Sequence, residues 1–171
     1  MSELHVSPLD HAAALAITRW RYPPPYDLYT LSDDPLGTAL FLSSAASGYF
    51  QLRDAAGELV AFCCFGAEAQ VPGGDYSTQA LDLGLGLRPD LTGRGHGMRY
   101  LGAVLAFGIA QFQPTLLRLT VADFNLRAIR LYQKAGFHAA ARFTSSFARR
   151  PFIIMTRYAT IPPPQQARRH P

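Results

Sequence analysis

Lysine is almost missing from this chain. Sixteen of its 171 residues are basic, yet Lys134 is the only lysine and the rest are arginines. The arginines are scattered, apart from Arg149-Arg150 and Arg168-Arg169, so the sequence carries no clustered basic face of the kind that grips nucleic acid. A formal net charge of +4 and a pI of about 9.3 still favour an anionic partner. Cysteine is scarce too: Cys63 and Cys64 are the only two, and they are adjacent. Neighbouring strand residues point to opposite faces, so a bridge between them is disfavoured. There is no C-x-x-C and no metal-ligand spacing, so both are read as buried filler and no metal is expected. No apolar run approaches membrane-spanning length, and no membrane partner is expected. The first twenty residues mix charges and histidines with alanines, which does not read as a signal peptide, so a cytoplasmic location is the expectation. Charged residues are 16% and hydrophobic residues 49%, a balance that argues against a disordered chain. One domain over residues 1–161 is expected, followed by a disordered, proline-rich tail over 162–171.

What is present centres on two stretches. In the first, the leucine run Leu81 to Leu87 leads into Arg88-Pro89-Asp90-Leu91-Thr92-Gly93-Arg94-Gly95-His96-Gly97-Met98, and the apolar segment Tyr100 to Phe112 leads out. The simplest reading is strand, glycine-rich turn, helix. Glycines at alternate positions permit a tight turn with uncovered N–H groups, and the helix start adds unpaired N–H groups and a positive dipole end. Together these make an anion site. The Walker pattern fails, because Met98 and Arg99 follow Gly97, and the dinucleotide fingerprint fails because its third glycine would fall on Met98 or Tyr100.

The second stretch is Asn125-Leu126-Arg127-Ala128-Ile129-Arg130-Leu131-Tyr132-Gln133-Lys134-Ala135-Gly136-Phe137, after the short apolar run Leu116 to Val121. With it, the chain resembles the GNAT superfamily of N-acetyltransferases. That family carries R/Q-x-x-G-x-G/A after its fourth strand and N-x-x-A-x-x-L/F-Y-x-x-x-G-F after its fifth. The second pattern fits at Asn125, Ala128, Leu131, Tyr132, Gly136 and Phe137. The first fits at Gly95 and Gly97, with Thr92 in place of the usual Arg or Gln. The resemblance covers roughly Leu81 to Phe137. It implies an α/β (α+β) three-layer fold, in which helices flank a mixed, mostly antiparallel sheet splayed between strands 4 and 5. It also implies acetyl transfer from acetyl-CoA, as cosubstrate, directly to a primary amine.

Residue roles follow from what that reaction needs. Pyrophosphate needs N–H donors, which Gly93, Arg94, Gly95, His96, Gly97 and Met98 can supply, with Arg94 or Arg99 adding charge. A polarised carbonyl needs a main-chain N–H, available where Leu85, Gly86 and Leu87 bulge or splay. The leaving thiolate needs a proton, and the family places a tyrosine at Tyr132. Asn125 and Ala128 match the cofactor-contacting start of the same motif. Asp82 shares the glycine face of its strand with Gly84 and Gly86, which makes it the base candidate. A salt-bridged strand carboxylate is the alternative. Glu68 and Asp75 are weaker candidates, and His96 reads as a backbone donor with an exposed ring.

The segment Trp20 to Tyr29 holds three prolines and the aromatics Trp20, Tyr22, Tyr26 and Tyr29. It is read either as a pin onto the core or as a wall of the acceptor site. Helices are expected at His11 to Arg19, capped by Asp10, and after Ser32 or Asp33, ending at Gly48, with Leu36, Leu40 and Phe41 on one face. Further helices are expected at Met98 to Phe112 and Asn125 to Ala135. Strands are expected at Leu4 to Ser7, Tyr49 to Arg53, Glu58 to Phe65, Phe137 to Phe147 and Phe152 to Tyr158. Glu68 to Gln79 reads as an exposed loop. Two other functions compete: an acyl-CoA-binding sensor without turnover, and a basic nucleic-acid-binding protein, which the scattered arginines disfavour. Acceptor identity stays open between a protein N-terminus, a lysine and a small-molecule amine. A monomer and a homodimer are both compatible with the sequence.

Overall fold

The computed structural model describes residues 3–31 and 33–160. All seven of its strands belong to one sheet. They are β1 (His5–Pro8), β2 (Tyr49–Arg53), β3 (Leu59–Phe65), β4 (Leu81–Leu87), β5 (Leu116–Ala122), β6 (His138–Thr144) and β7 (Pro151–Tyr158), in the spatial order β1-β2-β3-β4-β5-β7-β6. Every neighbouring pair is antiparallel except β4 and β5. Helices α1 (His11–Thr18), α2 (Pro35–Leu42), α3 (Gly97–Phe112) and α4 (Leu126–Lys134) complete the layers. The fold is the mixed α/β arrangement that the resemblance implied.

Two cores lie on opposite faces of the sheet. On one face, Leu101, Val104 and Leu105 of α3 pack with Cys63, Phe65, Leu83, Leu117 and Leu119, and Ile129, Leu131 and Tyr132 of α4 join them. On the other, Ala13, Ala14 and Ile17 of α1 and Ala39 and Leu42 of α2 pack with Trp20, Tyr49 and Phe62. Strand alternation divides β3 between the two: Cys63 joins the first core, while Cys64 turns to Gly84, and both thiols are free and buried. The chemistry of the caps follows the sequence. Asp10 accepts from the Ala13 N–H at 2.7 Å, and Asn125 accepts from the Ala128 N–H at 3.1 Å. Gly136, at φ +88, ends α4, and the Phe137 N–H returns to the Tyr132 carbonyl at 3.0 Å.

Three expectations change. Helix α2 is capped by Asp34, through the Gly37 N–H, and stops at Ser43 well short of Gly48; Ser32 lies outside the described residues. The face of α2 turned inward carries Ala39 and Leu42, whereas Leu36 and Leu40 are each 66% exposed and Phe41 is 49% exposed. Most of its residues are apolar, so its stripe was ambiguous, and packing with α1 selected the side that carries Ala39 and Leu42. The Glu68 to Gln79 connection is also not a free loop. It turns through a 3-10 helix, Gly66–Ala69, and lies back on β4 and β5 through Gln70 and Tyr76. The 162–171 stretch lies outside the described residues.

Candidate active site

β4 and β5 run parallel, but they are paired only at Leu81 with Leu117 and at Asp82 with Arg118. Beyond that rung the strands part. On its other side β4 stays regularly paired with β3 through Leu87, so the gap comes from divergence and not from a bulge. The Arg88 N–H donates to the Val60 carbonyl at 2.9 Å. Alternation therefore turns Gly84 and Gly86 toward β3, and points the main-chain N–H groups of Leu85 and Leu87 into the gap. Gly86 has a second reason to be glycine, because a β-carbon there would run into the Phe62 ring.

The Gly93 to Met98 turn stands at the open end of this gap. Gly93 and Gly95 adopt φ +72 and +80, a left-handed backbone that side chains resist. Nothing lies within 4 Å of a β-carbon placed on Gly95, so the approach to its backbone is clear. Helix α3 then starts at Gly97 without a side-chain cap, with the Arg99 N–H donating to the His96 carbonyl at 3.1 Å, and the positive end of its dipole faces the turn. Arg94 and Met98 are exposed beside it. A β-carbon on Gly93 would sit 3.2 Å from Nη1 of Arg127, so a guanidinium from α4 also reaches the turn. Open backbone, a helix start and an arginine together suit a pyrophosphate.

Helix α4 brings Asn125 and Tyr132 to the same region. Asn125 caps the helix with its carbonyl oxygen and donates from Nδ2 to the Tyr29 hydroxyl at 3.3 Å. Tyr132 packs edge-on against Phe137, with ring centroids 6.2 Å apart. Burial, and secondarily the nearby Tyr29 phenol, push its hydroxyl well above the ordinary tyrosine range. It is therefore a protonated donor at any ordinary pH.

The aromatic segment spans the mouth of the gap. Trp20 meets Phe62 at a tilt, with ring centroids 5.9 Å apart, on the α1 side. The Tyr22 hydroxyl donates to the Leu87 carbonyl at 2.7 Å, at the end of β4. Tyr26 and Tyr29 meet Phe124, beyond the end of β5, at 5.9 and 6.4 Å. The Arg127 guanidinium lies 4.5 Å over the Tyr26 ring. One strap of chain thus ties together the two strand ends that the sheet leaves apart, as a pin onto the core.

Asp82 sits at the closed end of the gap, 3% exposed. Its two oxygens accept from Nε and Nη2 of Arg118 at 2.6 and 2.8 Å, and Oδ2 also accepts from Gln70 at 2.9 Å. The structure places it in a buried ion pair, the salt-bridged carboxylate that the sequence left open as the alternative to a base. Glu68 and Asp75 are exposed in the preceding connection. Arg118, Thr120, Tyr76, Phe124 and Arg127 were not singled out from the sequence. Their one signal was the polar pair Arg118 and Thr120 at alternate positions of an otherwise apolar strand, together with Arg127 inside the second motif. Among the described residues no group of His, Cys, Asp and Glu could hold a metal, and no helix is long and apolar enough to cross a membrane.

The profile of the acetyltransferase (GNAT) family matches residues 14–137, more than half of the chain. This protein belongs to that family, whose members use acetyl-CoA as acetyl donor. Among solved structures, an acetyltransferase of the GNAT family from Bacillus anthracis is similar with a TM-score of 0.71 at 12% identity, over 93% of this chain and 97% of that one. A spermidine N-acetyltransferase chimera from Vibrio cholerae and hSSAT is similar with a TM-score of 0.68 at 17% identity, over 92% and 96%. A dodecameric spermidine N-acetyltransferase from Vibrio cholerae is similar with a TM-score of 0.64 at 17% identity, over 91% and 94%. At these identities the likeness is one of fold. No curated protein matches the sequence.

Proposed function

We propose that this chain transfers the acetyl group of acetyl-CoA to a primary amine. The observation that carries the reading is the parting of β4 and β5 beyond the Asp82–Arg118 rung, between an open glycine turn at one end and a buried phenol alongside. The turn from Gly93 to Met98, with Arg94 and Arg127, would hold the pyrophosphate. Asn125 and Ala128 would flank the cofactor at the start of α4. When bound, acetyl-CoA supplies an activated acyl group as its thioester. The N–H groups of Leu85 and Leu87 face the gap and would hydrogen-bond a carbonyl oxygen placed there. Tyr132 holds a proton on its hydroxyl and would give it to the departing sulfur, while the proton shed by the attacking nitrogen would pass through water to the phenolate and restore it. Trp20, Tyr22, Tyr26 and Tyr29 would wall the acceptor side.

Asp82 takes no proton in this scheme, because it is buried and held as a carboxylate against the Arg118 guanidinium. Its role is to fix the closed end of the gap. The amine therefore arrives already neutral. The test is release of CoA thiol with α-amines, lysine peptides, aminoglycosides, amino acids and polyamines. The last group is included because two of the similar structures are spermidine N-acetyltransferases. Turnover of at least one amine is expected. Tight CoA binding with no thiol release from any of them would make the chain an acyl-CoA sensor instead.

A further inference from the structure

The hydroxyls at the closed end of the gap have no part in this scheme so far. Arg118 and Asp82 bond to each other, so their side chains share a face. Alternation puts Thr120 on that face of β5, level with Gly84 on β4, the first position on that face beyond the last rung. This is the face of Phe62 and the aromatic strap, opposite the core that holds Tyr132. Thr120 is only half-buried. Its Oγ1 lies 2.9 Å from the Tyr76 hydroxyl, and that hydroxyl also accepts from the Val71 N–H at 2.9 Å. A hydroxyl has one proton and two lone pairs. Whichever of the two donates, Oγ1 of Thr120 keeps a free lone pair at the point where the strands part.

We propose that Thr120, oriented by Tyr76, seats the acceptor amine at the closed end of the gap, and that the acceptor is a weakly basic primary amine such as an α-amine. The inference rests on the acetyltransfer reading above. A neutral hydroxyl can accept one N–H of a free amine and leave the nitrogen lone pair directed elsewhere. It carries no charge to offset the desolvation of an ammonium ion. The carboxylate that would attract an ammonium, Asp82, is neutralised by Arg118, whose guanidinium also lies 4.9 Å over the Tyr76 ring. The free-base fraction then sets the rate. An α-amine titrates near pH 8 and a lysine side chain near 10.4, so near neutrality the α-amine presents roughly a hundredfold more free base. Thr120 would touch the substrate, and Tyr76 is a positioning residue.

The experiment uses Thr120→Val, Thr120→Ser and Tyr76→Phe in the full chain. The best amine of the screen is titrated calorimetrically into protein saturated with CoA, where no turnover occurs, and kcat and KM are measured alongside. Thr120→Val should weaken amine binding and raise the acceptor KM by about tenfold, with CoA affinity within about twofold of wild type. Thr120→Ser should restore both, and Tyr76→Phe should fall between. At pH 7.5, kcat/KM for an amino-acid amide should exceed that for a polyamine or lysine side chain by at least about tenfold. Wild-type amine affinity in folded Thr120→Val, or equal use of polyamine and α-amine, would overturn the proposal. Amine binding without turnover in the wild type sinks the acetyltransfer reading alone. If the amine neither binds nor reacts, both fall.

Discussion

At the scale of single residues, Tyr132 and Gly95 bear the most weight. Tyr132→Phe removes a hydroxyl and almost no volume, so the contact with Phe137 and the fold should persist. If the hydroxyl supplies the leaving-group proton, kcat should fall roughly ten- to a thousandfold, about 1.4 to 4 kcal/mol of transition-state stabilisation, with the acceptor KM little changed. Stopped-flow thiol release measures it, and undiminished kcat would return Tyr132 to packing. Because burial raises this phenol, kcat should not decline through its ionisation below pH 10. Gly95→Val tests the turn in a different way. The space beside Gly95 is open, so the protein should fold, at a backbone cost of about 1–2 kcal/mol for a β-branched residue at φ +80. CoA affinity should drop by at least about tenfold. Calorimetry giving an unchanged Kd would remove the turn from the site.

At the scale of elements, the gap depends on what holds β4 to β5 at one end and the strap at the other. Arg118 and Asp82 are 4% and 3% exposed. Arg118→Met would leave the Asp82 carboxylate buried and unpaired, with an expected loss of about 3–5 kcal/mol in urea unfolding. Adding Asp82→Asn should recover part of that loss, since the stranded charge disappears. If the single and double variants are equally unstable, the pair is not what closes the gap. On the strap, Tyr22→Phe deletes only the bond to the Leu87 carbonyl and should cost about 1 kcal/mol. Tyr26→Ala removes the surface beneath Arg127 and against Phe124. It should raise the acceptor KM severalfold, with CoA affinity nearly unchanged. A loss of stability without any change in KM would reduce the strap to packing.

For the whole molecule, the buried acids set the pH behaviour. Burial pushes the Tyr22 phenol and the Cys64 thiol up to about 12 each, from ordinary values of 10.0 and 9.0. It also raises Tyr29, Tyr49, Tyr132 and Cys63. Each of these groups holds its proton more tightly folded than unfolded. Their contribution is therefore complete below the unfolded values and is lost as pH climbs through the window up to the folded ones. The melting temperature should be nearly flat around neutrality and fall from about pH 9 upward. A Tm that holds to pH 11 would show that these groups reach water in the folded state.

The sequence by itself determined the parts whose causes are local. Alternating glycines before an apolar helix, an asparagine at a helix start and Gly136 at its end follow from backbone sterics and capping chemistry. They appear where the residues put them. Family membership was legible for the same reason, because Asn125 to Phe137 is one uninterrupted motif. The tertiary structure decided whatever depends on residues far apart in the chain. Asp82 is an ion-pair carboxylate only because the parallel register sets it against Arg118, thirty-six positions away. Leu36 and Leu40 face solvent because the side of α2 that packs with α1 is the one carrying Ala39 and Leu42. Tyr76, in a connection that read as exposed, reaches Thr120 across forty-four residues. Hydrophobicity and propensity act along the chain. A buried charge or hydroxyl must instead find its partner wherever the sheet delivers one, since leaving it unpaired costs more than any local preference returns.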